Sequence, residues 1–70
     1  MMNIEIYSEY IKLDAFLKYT GCVGTGGEAK LLIADGNVFV NGEVCTARGK
    51  KLRNGDTVRL GKQEYSVIQR

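Results

Sequence analysis

Four basic side chains fall within six consecutive residues of this 70-residue sequence, in Arg48-Gly49-Lys50-Lys51-Leu52-Arg53. The net charge is only +2, but residues 1–36 carry three basic and five acidic side chains, whereas residues 37–70 carry seven and three. Arginine can hold a phosphate through two parallel hydrogen bonds, and lysine acts as a mobile point charge. The block is therefore a candidate site for a polyanion, although such clusters are more often simply solvated surface.

A second candidate is the glycine-rich segment 20–27, with glycines at 21, 24, 26 and 27. A P-loop needs Lys-Ser/Thr directly after its last glycine, but Glu28 and Ala29 follow here. A dinucleotide-binding loop follows a strand, whereas a helix is predicted before this segment. Two interpretations stay open, a flexible turn between helices or a helix N-terminus whose free N–H groups meet an anion.

The elements that position these candidates are short. Ile4 and Ile6 alternate with polar residues, which predicts a half-buried strand. Apolar residues at helical spacing predict a first helix over residues 13–19. Good helix formers predict a second helix over residues 28–34, which ends at Gly36 because glycine adopts the left-handed conformation without a Cβ penalty.

Strand patterns fill the rest of the sequence. Residues 38–40 alternate like a strand and lead into Asn41-Gly42, the residue pair preferred in type I′ hairpin turns. Residues 57–60 and 63–68 predict two further strands. The sequence thus predicts an α+β fold with two helices packed on a small, mostly antiparallel sheet.

Length and composition exclude several classes of protein. Seventy residues predict a single domain over 1–70, and 44% apolar with 26% charged residues is ordinary for a globular protein. No apolar run is long enough for a membrane helix and the start is not a signal peptide, so a cytoplasmic location is expected. Without histidine, and with Cys22 and Cys45 far apart, common zinc patterns and histidine-based catalysis are excluded. No cofactor is expected, and reduced thiols are favoured, although the sequence leaves a disulfide open.

Four segments carry a family resemblance. They are Lys12-Leu13-Asp14-x-x-Leu17, Glu28-Ala29-Lys30-x-x-Ile33, Gly36-x-Val38-x-Val40-Asn41-Gly42 and Gly55-Asp56-x-Val58. Over about fifty residues they resemble the S4 RNA-binding domain, named after the fourth small-subunit ribosomal protein, whose core is the alpha-L motif. Many members have Ser-Arg-Ser before the second segment, where this chain has Thr25-Gly26-Gly27. Small stand-alone bacterial members resemble the version found here.

The resemblance implies an RNA-binding module without catalysis of its own. Its expected partner is structured RNA of the ribosomal or transfer RNA type, held by phosphate and shape contacts, with the ribosome as a candidate location. The protein is expected to be a monomer without a small-molecule substrate. Two helix N-termini with Lys12 and Lys30 would form a phosphate cradle. The predicted site residues are Lys12, Gly26, Gly27, Lys30, Arg48, Lys50, Lys51 and Arg53. Tyr7, Tyr10 and Tyr19 have rings suited to stacking on a base, but nothing in the sequence marks them as exposed, so they are left out.

Other classes stay open beside this one. A protein-interaction or DNA-binding module of a nucleoprotein machine would use the same basic block. A ubiquitin-like sulfur carrier shares the Val-Asn-Gly-Glu and Gly-Asp-x-Val patterns, but it needs a terminal Gly-Gly, whereas this sequence ends Ile68-Gln69-Arg70. An enzyme is the least favoured class, because no nucleophile is paired with a base.

Overall fold

The computed structural model describes residues 2–70, which form two short helices and seven strands. The helices are α1 (Leu13–Tyr19) and α2 (Gly26–Ala34). The strands are β1 (Met2–Ile6), β2 (Ile11–Lys12), β3 (Val38–Val40), β4 (Glu43–Val44), β5 (Lys51–Leu52), β6 (Thr57–Leu60) and β7 (Gln63–Gln69). The predicted α+β class is confirmed, and α1 and β6 have the predicted bounds.

The main sheet has five strands in the order β1-β7-β6-β3-β4. Three of its pairings are antiparallel, and β1 alone pairs in parallel, with β7. Parallel strands need a long crossover between them. Here the crossover contains both helices and the other strands, so the first and last strands of the chain lie side by side and hold the domain together.

Both helices share one hydrophobic core with the inner face of this sheet. From α1, the side chains of Leu13, Phe16 and Leu17 are fully buried, as their spacing predicted. The Phe16 ring meets the Tyr65 ring of β7 edge to face, with centroids 6.0 Å apart. A favourable aromatic geometry thus joins α1 to the middle of the sheet.

The second helix begins two residues earlier than predicted. Thr25 is its N-cap, and the Thr25 hydroxyl accepts a hydrogen bond from the Glu28 N–H at 3.2 Å. This is one of the two hydrogen bonds of a capping box, the one from the backbone N–H of the glutamate to the threonine hydroxyl. The Thr-x-x-Glu spacing in the sequence encodes it. The glycine-rich loop is shorter as a result, and Lys30 lies one turn inside the helix rather than at its start. At the other end Gly36 has φ +78°, as predicted for the residue that ends the helix.

The hairpin turn at Asn41-Gly42 is tied to the start of β6. Both residues have positive φ, 53° and 85°, which fits the predicted type I′ turn. The Asn41 side chain accepts from the Thr57 N–H at 2.9 Å and donates to the Asp56 carboxylate at 3.2 Å. The other oxygen of Asp56 accepts from the Arg53 N–H at 2.8 Å. These residues of the family signature therefore act in folding, by joining two turns.

A second, two-stranded sheet was not predicted. In it β2 pairs antiparallel with β5, with Ile11 opposite Leu52 and Lys12 opposite Lys51. Part of the basic block, Lys51–Leu52, is therefore the strand β5, which the sequence did not predict. Leu52 is buried and Ile11 packs against the core, so this sheet lies on the core by its apolar side.

Candidate nucleic-acid interface

The outer side of the second sheet is the centre of the candidate interface. Side chains alternate between the two faces of a strand. Because Ile11 and Leu52 face the core, Lys12 and Lys51 point away from it. By the same alternation Tyr10 and Arg53, one residue beyond the paired ones, lie on the outer side. We call this set, Tyr10, Lys12, Lys51 and Arg53, the ribbon face. Its cations contact its aromatic ring: Lys51 Nζ lies 4.8 Å and Arg53 Cζ 5.6 Å from the Tyr10 ring centroid.

A tight turn over residues 47–50, which we call the basic turn, fixes the other two basic residues of the block at the start of α1. The Lys50 N–H closes the turn onto the Ala47 carbonyl at 3.1 Å. The first N–H groups of α1, from Leu13 and Asp14, donate to the carbonyls of Lys50 and Arg48 at 2.8 and 3.1 Å. Arg48 and Lys50 are thereby held beside Lys12, the N-cap residue of α1.

These same hydrogen bonds correct one part of the sequence prediction. A phosphate cradle was expected from two helix N-termini, but the N–H groups of α1 are already used by the backbone of the basic turn. Only α2 keeps such donors, because the N–H groups of Gly26 and Gly27 have no acceptor among residues 2–70. Glu28 also lies in that first turn and partly offsets its positive potential.

All eight predicted site residues are exposed, and they form two groups. The β2–β5 pairing and the turn over residues 47–50 bring five of them together: Lys12, Arg48, Lys50, Lys51 and Arg53. The other three, Gly26, Gly27 and Lys30, lie on α2. Within the described chain no hydrogen bond or ion pair joins the two groups.

The clustered cations form no ion pair with an acidic side chain of the described residues. Among residues 2–70 the single ion pair joins Arg70 to Glu5 at 2.9 Å, where the hydrogen bond from Arg70 lowers the pKa of the Glu5 carboxyl. Lys12 instead faces another lysine across the ribbon, and like charges directly opposite one another destabilise a sheet. The charges of these side chains therefore form no ion pair in the described part of the chain and are available to an outside anion.

Tyr10 is the residue of this surface that sequence reasoning missed. A signal for it exists in the two triplets Tyr10-Ile11-Lys12 and Lys51-Leu52-Arg53, each an apolar residue between two outward-facing ones. Each triplet alone is too short to predict a strand, and only their pairing shows that the four flanking residues share a face.

Several other kinds of site find no support in the described part of the chain. Residues 2–70 contain no group of three or more His, Cys, Asp or Glu side chains arranged to hold a metal ion. Neither helix found there has the length and apolar character needed to cross a membrane. Both cysteines are free; Cys22 Sγ lies 3.1 Å from the Tyr65 hydroxyl, and this hydrogen bond raises the pKa of Tyr65.

Among known protein families, one matches most of this chain. A family model described as "S4 domain" matches residues 4–68. The chain belongs to the S4 domain family. That assignment confirms the resemblance seen in the sequence, and it covers both groups of predicted site residues.

Two similar proteins show how far the similarity extends. The probable ribosome maturation protein RlbA of Bacillus subtilis (strain 168) is 40% identical over 66 residues, which cover 93% of each chain. The solution structure of YbcJ from E. coli matches with a TM-score of 0.73 and 30% identity, over 97% of this chain and 87% of that one. YbcJ is described as having an alpha-L motif involved in RNA binding.

Proposed function

We propose that this S4 domain binds structured RNA through its phosphates and shape, and has no catalytic activity of its own. One observation carries the proposal: five basic residues from separate parts of the sequence are gathered at the ribbon face and the adjacent turn, exposed and without an acidic partner among residues 2–70. The descriptions of RlbA and YbcJ, as ribosome maturation and RNA-binding proteins, support the same class of ligand. Ribosomal RNA, or an RNA of the transfer RNA type, is the ligand class we favour.

The paired lysines suggest how the contact forms. A phosphate placed between Lys12 and Lys51 replaces the repulsion of two like charges by two attractions. Arg53 can add a two-pronged hydrogen bond to a neighbouring phosphate. Such contacts fix the position of a nucleic acid and carry no base information, which suits A-form RNA, whose duplexes are read mainly by shape, phosphates and 2′-hydroxyls.

The residues on α2 provide a second, separate contact in this proposal. Gly26 and Gly27 offer two free N–H groups at a helix N-terminus, and Lys30 adds a charge one turn further along. Backbone donors at such a position suit phosphate oxygens. An RNA held at both groups would span α1 and α2, so a single copy of the chain suffices and the protein acts as a monomer.

The test compares an RNA hairpin with a DNA hairpin of the same sequence by fluorescence anisotropy at one salt concentration. We expect tighter binding to the RNA, because only RNA has A-form geometry with 2′-hydroxyls. Equal affinity would favour the alternative of a DNA-binding or general polyanion-binding module. Failure to bind either hairpin would show that the proposal is wrong.

The contribution of α2 is tested by Gly26→Asp/Gly27→Asp. A Cβ at Gly26 meets no atom within 4 Å and one at Gly27 lies 3.8 Å from Thr25 Oγ1, so both substitutions fit. Acidic residues also suit a helix N-terminus, so the melting temperature should hardly change. We expect RNA affinity to fall about tenfold, since the new carboxylates repel the phosphate.

Gly26→Asn/Gly27→Asn is the matched control, with the same bulk and no charge. We expect it to keep most of the affinity of the unmodified protein. If the Asp variant loses affinity only in proportion to its melting temperature, or if the Asn variant loses as much, the charge at this turn plays no part in binding.

A further inference from the structure

We propose that the Tyr10 ring stacks on an unpaired nucleobase, so that the preferred ligand is a duplex with a flipped-out or single-stranded nucleotide at its side. This inference rests on the proposed RNA-binding function. It adds to the phosphate contacts a residue outside the predicted site and a specific structural feature of the RNA.

The first support is the position of the ring. Tyr10 directly precedes β2, and extending the β2–β5 register by one residue places it opposite Arg53. Its carbonyl accepts a hydrogen bond from the Ser8 hydroxyl at 2.7 Å, and the next residue, Ile11, packs against the core. Tyr10 is itself half-buried. The backbone at Tyr10 is therefore fixed on both sides, and the ring is presented with the cations of the ribbon face.

The second support comes from the hydroxyl groups. The chain has four tyrosines, and three of them use their hydroxyl within the protein. Tyr7 donates to the Glu5 carboxylate, Tyr19 donates to the Glu5 carbonyl, and Tyr65 is hydrogen-bonded to Cys22. Among residues 2–70 the Tyr10 hydroxyl has no hydrogen-bond partner, so the polar end of this half-buried ring is free to meet a ligand.

The chemistry around the ring selects a nucleotide. Lys51 and Arg53 approach the ring to 4.8 and 5.6 Å, so phosphates attracted to them bring the sugar and base of the same strand to the ring. A base inside a duplex is covered by its neighbours, whereas an unpaired base offers a π-face for stacking on an aromatic side chain. A purely electrostatic surface has no need of an aromatic residue between its cations.

A simpler role for Tyr10 would be to orient the two cations through cation–π contacts, without touching the RNA. That role predicts an equal loss of affinity for every RNA when the ring is removed. Stacking instead predicts a loss that depends on the presence of an unpaired base.

The experiment uses two RNA hairpins with the same stem, one with a single bulged adenosine and one with an abasic nucleotide at that position. The unmodified protein is expected to bind the bulged hairpin about tenfold more tightly. In Tyr10→Leu this preference should disappear, while Tyr7→Leu, which removes an exposed ring outside the ribbon face, should keep it. Because the chain has no tryptophan, Tyr10→Trp adds one reporter, whose fluorescence should be quenched by the bulged hairpin and not by the abasic one.

The outcomes separate the two proposals. Equal affinity of the unmodified protein for both hairpins would overturn stacking and leave RNA binding intact. An equal loss for both hairpins in Tyr10→Leu would also overturn it, in favour of cation orientation. If neither hairpin bound at all, the proposed function itself would be wrong.

Discussion

The variant Lys50→Glu/Lys51→Glu is expected to lose RNA affinity on the order of a hundredfold. Both residues belong to the cluster at the ribbon face and the basic turn, so each reversal removes a phosphate contact and adds a repulsion. The matched control is Lys18→Glu/Lys62→Glu. It has the same net charge, but Lys18 lies in the last turn of α1 and Lys62 in the turn between β6 and β7. Its loss should be only a few-fold, from weaker long-range attraction.

Folding does not account for the expected difference in RNA affinity between these variants, since their stability should change in the opposite direction. A glutamate at position 51 faces Lys12 across the ribbon and replaces a repulsive pair by an attractive one. The hydrogen bonds of Lys50 that hold the turn come from its backbone and persist in the variant. In the control, a glutamate at position 18 is unfavourable at a helix C-terminus. Thermal unfolding should thus find the Lys50/Lys51 variant at least as stable as the control.

The binding isotherms of the two variants, measured with one RNA hairpin, test whether a localised RNA site exists. Equal losses in the two variants would mean that only overall charge attracts the RNA and that no localised site exists. The loss should also be similar for hairpins of different sequence, since phosphate contacts carry no base information.

Sequence signals predicted most of the local structure, although the start of α2 was predicted two residues late. The spacing of Leu13, Phe16 and Leu17 gave the bounds of α1, and Gly36 and Asn41-Gly42 gave a helix end and a turn with the observed positive φ. The parallel pairing of β1 with β7 was out of reach, because it joins residues about sixty positions apart and leaves no mark in either strand.

The same distinction between local and long-range contacts applies to the candidate site. The residue types that could bind phosphate are visible in the sequence, but the pairing of Lys12 with Lys51 depends on a contact between distant segments. The same contact made the expected cradle at α1 wrong, since the carbonyls of Arg48 and Lys50 reach its first N–H groups from more than thirty residues away. Whether the eight predicted residues bind RNA stays a prediction.

Family recognition and site prediction also rest on different residues. Asn41 and Asp56, which helped to identify the family, are occupied by hydrogen bonds between turns. These two residues are therefore markers of the fold. The cations of the ribbon face are instead exposed side chains with few internal bonds, so the chemistry of this face can differ among proteins that share the signature.

Salt should weaken RNA binding steeply if the clustered cations act as proposed. With about four or five phosphates neutralised, affinity for an RNA hairpin is expected to fall on the order of a hundredfold between 50 and 200 mM salt. The number of phosphates follows from the five basic residues of the cluster, each exposed and without an acidic partner among residues 2–70. Binding is measured at several salt concentrations, and the slope of log affinity against log salt counts the contacts.

Single substitutions then show which residues contribute to that slope. Lys51→Gln should lower its magnitude by about one, because one phosphate contact and its released counterion are lost. Lys62→Gln carries the same charge change in the turn after β6 and should leave the slope unaltered. A binding constant that hardly changes with salt would contradict the electrostatic mode altogether. Equal slopes for both variants would place the contacts elsewhere on the protein, because the slope counts only the charges that meet a phosphate.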